Sequence, residues 1–445
     1  MKSQIAGLFF FLTLICSTFL GSIPGVVYAQ SIPDVLVGVD IAYGDVEQVK
    51  QLADEVSSYT NLFILGCTAV TQDRFKLEQA CQYLFDKGLF FIIYQEYPLD
   101  FTWASVEKSS WLENAKTRWG NHFLGIYYSD EVGGRQLDHN SDWMVVTNAD
   151  SYDEAGSKFN ARVSGSVDWF RNGYSSGSDL SLFTSDYALY WFDYQAGYDV
   201  IFAQLGWNYS RQLNIGLCRG AATAQNKEWG AIITWTYTQP PYIESGEELY
   251  NDLLLAYDNG AKYIAVFNSN KNYSDGILDQ EHLDALKRFW QYSEQNPRKV
   301  NPIIERTAYV LPRNYAYGFR GPNDKIWGLW EADELSVPIS VNLGNLLEQH
   351  SYKLDIIYED DNQTNSSQKY SQLINWNNTL LNPSSSPTPQ KNSSNEGSSF
   401  EKIGIKWPAE VQGAIFAILA VTSVIAMWVF LRKGSTKTRE IKQTI

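Results

Sequence analysis

The chain has 445 residues, 44% of them hydrophobic and 19% charged, and a formal net charge of −15. That balance fits a globular protein with an acidic exterior and excludes a nucleic-acid binder, which needs a basic surface. Four cysteines and four histidines, with no ligand spacing among them, exclude a disulfide framework and a His/Cys metal centre, and no cofactor is implied.

Residues 1–29 begin with Lys2, run through an apolar core from Ile5 to Leu20 and end Val27-Tyr28-Ala29. This is the pattern of a signal peptide cut before Gln30, which also removes Cys16. Cys67, Cys81 and Cys218 remain, an odd number that leaves a Cys67–Cys81 bridge possible.

From residue 35 the chain alternates short apolar runs with segments of helical periodicity. Strands are expected at 35–41, 61–66, 89–94, 122–128, 180–186, 199–206, 229–236 and 261–267. Helices are expected at 45–59, 72–87, 106–119, 187–197, 210–225, 246–259 and 280–294. The connection after the fourth strand is longer, with an amphipathic helix over 155–170 and a Gly/Ser loop at 172–178. Eight strand–helix units predict an α/β fold, the (β/α)8 TIM barrel, over residues 30–300.

Residues 301–381 break the pattern. Strands at 307–311 and 354–358, with a helix at 339–350, predict a small α/β appendage. Residues 382–407, rich in Ser, Pro, Thr and Asn, read as a flexible stalk. Residues 408–431 contain an uncharged stretch, 411–431, long enough to span a bilayer. Arg432, Lys433, Lys437, Arg439 and Lys442 follow, so residues 432–445 are expected in the cytoplasm. The expected localisation is therefore the plasma membrane, with one pass and the N-terminal ectodomain outside the cell. Glycosylation sequons stand at Asn208, Asn272, Asn362, Asn365, Asn377 and Asn392.

The fourth strand, Phe-Leu-Gly-Ile-Tyr-Tyr-Ser-Asp-Glu, ends in two carboxylates and then Gly133-Gly134. Strict alternation sends Leu124, Ile126, Tyr128 and Asp130 toward the helices. Phe123, Gly125, Tyr127, Ser129 and Glu131 then face the barrel axis. The C-terminal rim, where barrel enzymes keep their chemistry, offers Asp40, Glu96, Asp130, Glu131 and Asp186. It also offers Tyr127, Trp207, Trp235, Tyr237 and Asn268. Carboxyl groups can protonate a leaving oxygen and attack or activate water, and flat rings can receive a sugar face. Glu131, with Asp186 or Asp40 as partner, is the expected catalytic set, and their separation decides between retention and inversion. Glu96, Tyr127, Trp207, Trp235, Tyr237 and Asn268 are the expected substrate contacts. The competing roles are an Arg partner or helix cap for Glu131, a surface position for Asp130 and packing for the aromatics. Glu244, Glu247 and Glu248 read as the acidic first turn of a helix.

On the barrel order and the Gly-Ile-Tyr-Tyr-Ser-Asp-Glu strand end, the chain resembles the TIM-barrel glycoside hydrolase superfamily. The resemblance implies an acid/base role for Glu131. The seventh strand ends Ile233-Thr234-Trp235-Thr236-Tyr237, without the acid that the large clan of retaining enzymes places there. Two functions fit: a cell-surface hydrolase of O-glycosidic bonds, or a silent barrel that binds envelope glycan or supports the envelope. The expected partners are a carbohydrate and, through one C-terminal helix, the membrane; no nucleic acid is expected. A surface module for another protein fits less of the pattern.

Overall fold

Short runs of β-branched, aliphatic and aromatic residues form eight strands, all parallel. They are β1 (Leu36–Ile41), β2 (Leu62–Leu65), β3 (Phe90–Gln95), β4 (Phe123–Tyr128), β5 (Ser181–Asp186), β6 (Val200–Leu205), β7 (Glu228–Ile233) and β8 (Tyr263–Phe267). Each pairs with the next and β8 pairs back onto β1, so the sheet closes into a barrel. The coordinates are a computed structural model that describes residues 31–95, 105–138, 142–174, 180–298, 305–360 and 368–381. The expected signal peptide, stalk, transmembrane segment, cytoplasmic tail and Glu96 lie outside the described residues. Among the described residues no helix is long and apolar enough to cross a membrane.

Helices α1 (Val46–Val56), α2 (Thr68–Thr71), α3 (Arg74–Asp86), α4 (Ser105–Trp119), α5 (Val132–Asp138) and α6 (Tyr152–Tyr174) accompany the first half of the barrel. Helices α7 (Tyr190–Gln195), α8 (Arg211–Gln225), α9 (Gly246–Asp258) and α10 (Gln280–Gln295) accompany the second. Starts are fixed locally: Asp45 and Ser245 each form a reciprocal capping box with the residue three positions on. Helix α6 continues through Tyr174, past the start expected for the Gly/Ser loop. Cys67, Cys81 and Cys218 are buried free thiols, so the bridge that spacing allowed is not formed.

Apolar side chains fill the barrel in two layers. Leu62, Ile64, Phe90 and Ile92 point to the axis, while Phe63, Leu65, Phe91 and Ile93 face the helices. Strand β4 departs from this alternation. Its register against β3 jumps from Phe91↔Phe123 to Ile92↔Gly125, which leaves Leu124 as an inserted residue. Gly125 takes φ 152°, and a Cβ there would lie 2.1 Å from the Ser181 carbonyl oxygen, so only glycine fits. As a result Leu124 points to the axis, and Phe123 turns outward into ring contacts with Trp111 and Phe91. The parity expected for the first half of this strand is thus inverted. Beyond Gly125 it holds, with Tyr127 facing inward and Ile126 and Tyr128 outward.

The appendage contains more sheet than its sequence advertises. Strands β9 (Thr307–Leu311), β10 (Leu354–Tyr358), β11 (Gln372–Asn375) and β12 (Leu380–Leu381), with helix α11 (Ser336–His350), form a sheet of order β10-β9-β11-β12. Its edge strand β10 lies against α8. Gly216 and Gly220, one turn apart, bring backbone to backbone, since a Cβ at Gly220 would sit 2.5 Å from the Ile356 carbonyl oxygen. The barrel and the appendage belong to one compact unit. Near the mouth, the buried Gln136 amide clips α5 to the appendage, donating to the carbonyls of Val146 and Trp327 at 2.9 and 2.8 Å. Trp327 itself is fully buried against Phe159 and Phe192, an anchor of about 1.5–3 kcal/mol.

Candidate active site

The C-terminal ends of the strands surround a cavity of about 560 Å³. Asp40, Tyr127, Asp130, Glu131, Trp207 and Trp235 are in its wall, joined by Tyr94, Ser185, Tyr187, Gln204, Tyr209 and Tyr273. Its floor is aromatic: Tyr127 lies parallel to Phe202 at 6.2 Å and tilts against Tyr94 at 5.2 Å.

Both carboxyls after β4 reach this cavity, although adjacent strand residues normally diverge. The turn achieves it with left-handed backbone at Ser129 (φ 56°) and Glu131 (φ 51°). Such conformations cost about 1–3 kcal/mol at a non-glycine residue and persist only where neighbours impose them. Here β5 does so: the Glu131 N–H donates to the Ser185 carbonyl at 3.0 Å, and Thr184 Oγ1 donates to the Ser129 carbonyl at 2.7 Å. Asp130, which alternation sends outward, therefore faces the cavity. Its Oδ1 accepts from Tyr127 Oη at 2.5 Å and from Ser185 Oγ at 2.8 Å. Two hydroxyl donors on one oxygen are the setting of a carboxylate anion.

Glu131 Oε1 accepts from Gln204 Nε2 at 2.7 Å, and the same Nε2 reaches Ser185 Oγ at 2.9 Å. A chain of polar contacts thus runs from Glu131 through Gln204 and Ser185 to Asp130. Burial, and then the negative charge of Asp130, push the Glu131 carboxyl up to about 8, and the Gln204 bond offsets this only in part. Glu131 accordingly holds a proton at neutral pH. Asp40, on β1, is 6% exposed, and burial followed by the Asp130 charge raises its carboxyl well above the ordinary range. Of three carboxyls around one cavity, Asp130 is the one held by two hydroxyl donors, and its charge helps to raise the other two.

Asp186 ends β5 but does not line the cavity. It is fully buried, with Oδ2 accepting from Gly133 N at 2.6 Å and Oδ1 from Gly134 N, Tyr187 N and Ala188 N at 2.7–2.9 Å. Gly133-Gly134 permits this: a Cβ on Gly134 would land 2.2 Å from the Tyr187 ring. Asp186 is thus the anchor that seats α5 and the turn carrying Glu131. Behind it lies Asp193, also fully buried. Burial raises Asp186 to about 6, its backbone donors opposing, and burial with the Asp186 charge raises Asp193 well above the ordinary range. Both groups bind protons more tightly in the folded chain, so stability falls as pH rises from an unfolded value near 4. Asp193→Asn is expected to flatten that fall and to melt higher than the wild type above neutral pH. Melting curves between pH 5 and 9 that run parallel for the two proteins would sink this assignment.

The aromatic rim is held as firmly as the acids. Trp207 and Trp235 meet edge to face at 6.3 Å, the Trp207 N–H donates to the Trp235 carbonyl at 2.7 Å, and Trp235 Nε1 donates to the Ser269 carbonyl at 2.7 Å. Tyr187 and Tyr209 stack at 5.4 Å. Trp207 and Tyr273 take left-handed φ of 45° and 53°. Tyr237 is 47% exposed and stands outside the cavity. Asn268 is buried, and its Oδ1 accepts from Ile277 N and Leu278 N at 2.7 and 3.0 Å, which sets the loop after β8 rather than the cavity wall. Glu244 pairs with Arg211 at 2.9 Å behind the rim, while Glu247 and Glu248 occupy the first turn of α9. Among the described residues the one cluster with metal-like geometry is Asp279, Glu281 and His282. It is a helix start: Asp279 caps α10, and His282 Nε2 meets the Glu244 carbonyl at 2.8 Å.

The inward turn of Asp130 and the presence of Gln204 in the cavity wall are what alternation and residue type missed. Gln204 left a trace, as the one polar side chain in the apolar run of β6.

No protein-family model and no curated protein matches the chain. Solved structures match the chain at low identity and with TM-scores under 0.5. A GH5_18 protein from Streptomyces cattleya, solved in complex with GlcNAc, is 11% identical. The match covers 78% of this chain and 100% of that one at a TM-score of 0.48. A GH5_18 protein from Bifidobacterium longum, in complex with Manb1-4GlcNAc, is also 11% identical, over 80% of this chain and 99% of that one, at 0.48. Alpha-L-fucosidase isoenzyme 2 from Paenibacillus thiaminolyticus is 10% identical, over 76% of this chain and 60% of that one, at 0.47. Likeness at this level carries no chemistry with it.

Proposed function

We propose that the chain is a cell-surface glycoside hydrolase that cleaves O-glycosidic bonds in the cavity at the barrel mouth. The observation that carries this is a buried carboxyl, Glu131, beside a carboxyl held by two hydroxyl donors, Asp130, in a cavity walled by aromatic faces, a setting in which burial and the Asp130 charge raise Glu131. That is the division of labour glycosidic cleavage needs. Gln204 occupies Oε1 of Glu131, which leaves the proton to Oε2. As the bond from the anomeric carbon to the glycosidic oxygen breaks, Glu131 passes this proton to the departing oxygen. Asp130 stabilises the positive charge that develops on the sugar; water then adds its oxygen to the anomeric carbon and gives up a proton to the Glu131 carboxylate, which restores the acid. Asp40, whose carboxyl burial raises well above the ordinary range, faces a sugar hydroxyl in the same cavity. Trp207 and Trp235 receive the apolar faces of the rings. Surface anchoring is supported by the hydrophobic stretch at 411–431 and the basic tail after it.

One experiment tests activity and location together. Intact cells expressing the full chain are given a panel of oligosaccharides, before and after brief protease treatment, and new reducing ends are measured in the medium. Cleavage that protease removes from the cells is the expected result. Binding without cleavage across the panel would favour the silent glycan-binding barrel. Cleavage seen only after lysis would overturn the surface location.

A further inference from the structure

The loop after β7 builds a second surface beside the cavity. Residues 236–243 fold back on themselves: the N–H groups of Thr236 and Tyr237 both donate to the Tyr242 carbonyl, at 2.7 and 2.8 Å, and Tyr242 N–H donates to the Gln239 carbonyl at 2.9 Å. Tyr242 holds φ 65°, and its ring lies against Trp235 at 6.5 Å, so backbone and side chain both fix the fold-back. It displays Tyr237, 47% exposed, with Thr238, Gln239, Pro240 and Pro241 also exposed. Together with Trp207 and Asn208 they line an open groove of about 480 Å³. Trp207 is in the wall of both the cavity and this groove, so the two surfaces are continuous.

The chemistry of the groove is selective. It offers an indole, a phenol ring, two pyrrolidine faces, hydroxyls and amides, and no charged side chain lines it. Next to it stands the Asp130 carboxylate, in a chain of net charge −15. An anionic polymer is repelled there, and a cationic peptide finds no acid in the groove to pair with. Rings with apolar faces and hydroxyl rims suit it.

Resting on the hydrolase reading of the cavity, we infer that the substrate is a neutral oligosaccharide longer than the cavity. Its units beyond the scissile bond cross Trp207 and lie on the Tyr237–Pro241 loop. The loop is thereby the determinant of chain-length preference.

The test uses full-length protein in detergent. Binding is read by tryptophan fluorescence in a Glu131→Gln background, which holds ligand without cutting it. The probes are neutral ladders of glucose, mannose and N-acetylglucosamine units from disaccharide to hexasaccharide, and an oligogalacturonate ladder as the anionic counterpart. At least one neutral ladder is expected to tighten about tenfold from its shortest to its longest member. Adding Tyr237→Ala is expected to remove about three- to tenfold of that gain, in keeping with the loss of one ring-stacking contact. A general disturbance of the fold would instead weaken all lengths alike. The same gain with length in both proteins, no binding of any neutral ladder, or equal binding of the anionic ladder would each overturn the proposal. Length-dependent binding that needs Tyr237, with no cleavage by the wild type, would overturn the hydrolase reading and leave the groove assignment standing.

Discussion

The Glu131→Gln protein is expected to lose about 10²–10⁴ in kcat/KM on a substrate with a poor leaving group, the usual contribution of a positioned general acid. The amide keeps the size of the side chain and removes the one proton placed for the glycosidic oxygen. The wild-type rate is expected to fall as pH rises through about 8, where burial and the Asp130 charge place the Glu131 carboxyl. In the variant that limb of the pH profile should vanish. Stability should move the other way. A folded pKa above the unfolded value near 4.5 means that protons bind more tightly to the folded chain. Stability from this group is full below about pH 4.5 and is lost as pH rises toward 8. The variant has no such loss, so at pH 8 it should melt higher than the wild type while turning over far less. A site residue that costs stability in order to act is the usual form of this trade. Hydrolysis unchanged by the substitution would remove Glu131 from the mechanism. An unchanged rate with a shifted pH profile would make it a neighbour of the true acid.

Much of this architecture was legible because barrel strands advertise themselves. The runs around Val39, Ile64, Ile92 and Ile264 are apolar on both faces, as parallel strands buried on both sides must be. The position of Glu131 at the end of β4 was legible for the same reason. The orientation of Asp130 was not. It depends on an inserted Leu124 and on two left-handed residues, and these are imposed by β5, more than fifty residues away along the chain. Alternation is a local rule, and a bulge set by a distant carbonyl is invisible to it. Asp186 posed the reverse problem. A carboxyl at a strand end has the same local sequence whether it meets substrate or four backbone N–H groups. The informative signal was Gly133-Gly134, two residues without side chains, where something had to approach closely. In the appendage, β11 and β12 went unread because four residues and two residues carry no periodicity of their own. Their pairing with β9 and with each other makes them strands.

Arg219→Ala is expected to destabilise the folded chain by about 3–5 kcal/mol, the cost of breaking a buried ion pair from one side. Arg219 is 1% exposed on α8 and donates to Asp355 Oδ1 at 2.6 Å, to Asn259 Oδ1 at 2.6 Å, and to the carbonyls of Tyr352 and Leu354 at 2.7 and 3.1 Å. Truncation takes the ion-pair partner from the Asp355 carboxylate, which is 0% exposed, and leaves Arg306 as a more distant positive charge. The close approach of α8 to β10 at Gly216 and Gly220 denies the carboxylate any route to solvent. Near its start, α8 also holds the cavity wall, since Asn214 Nδ2 donates to the Gln204 carbonyl at 2.8 Å and Gln204 holds Glu131. The seat of the appendage and the seat of the acid therefore share one helix. A second variant separates charge from contact. Arg219→Met with Asp355→Leu replaces the pair by apolar groups of similar bulk, a change that is often neutral. If the uncompensated charge is what costs, the double variant should recover most of the urea midpoint lost by Arg219→Ala. If both proteins unfold at the same reduced midpoint, the donors to Asn259 and to the two carbonyls are what hold α8 to the sheet, and the charge on Asp355 is incidental.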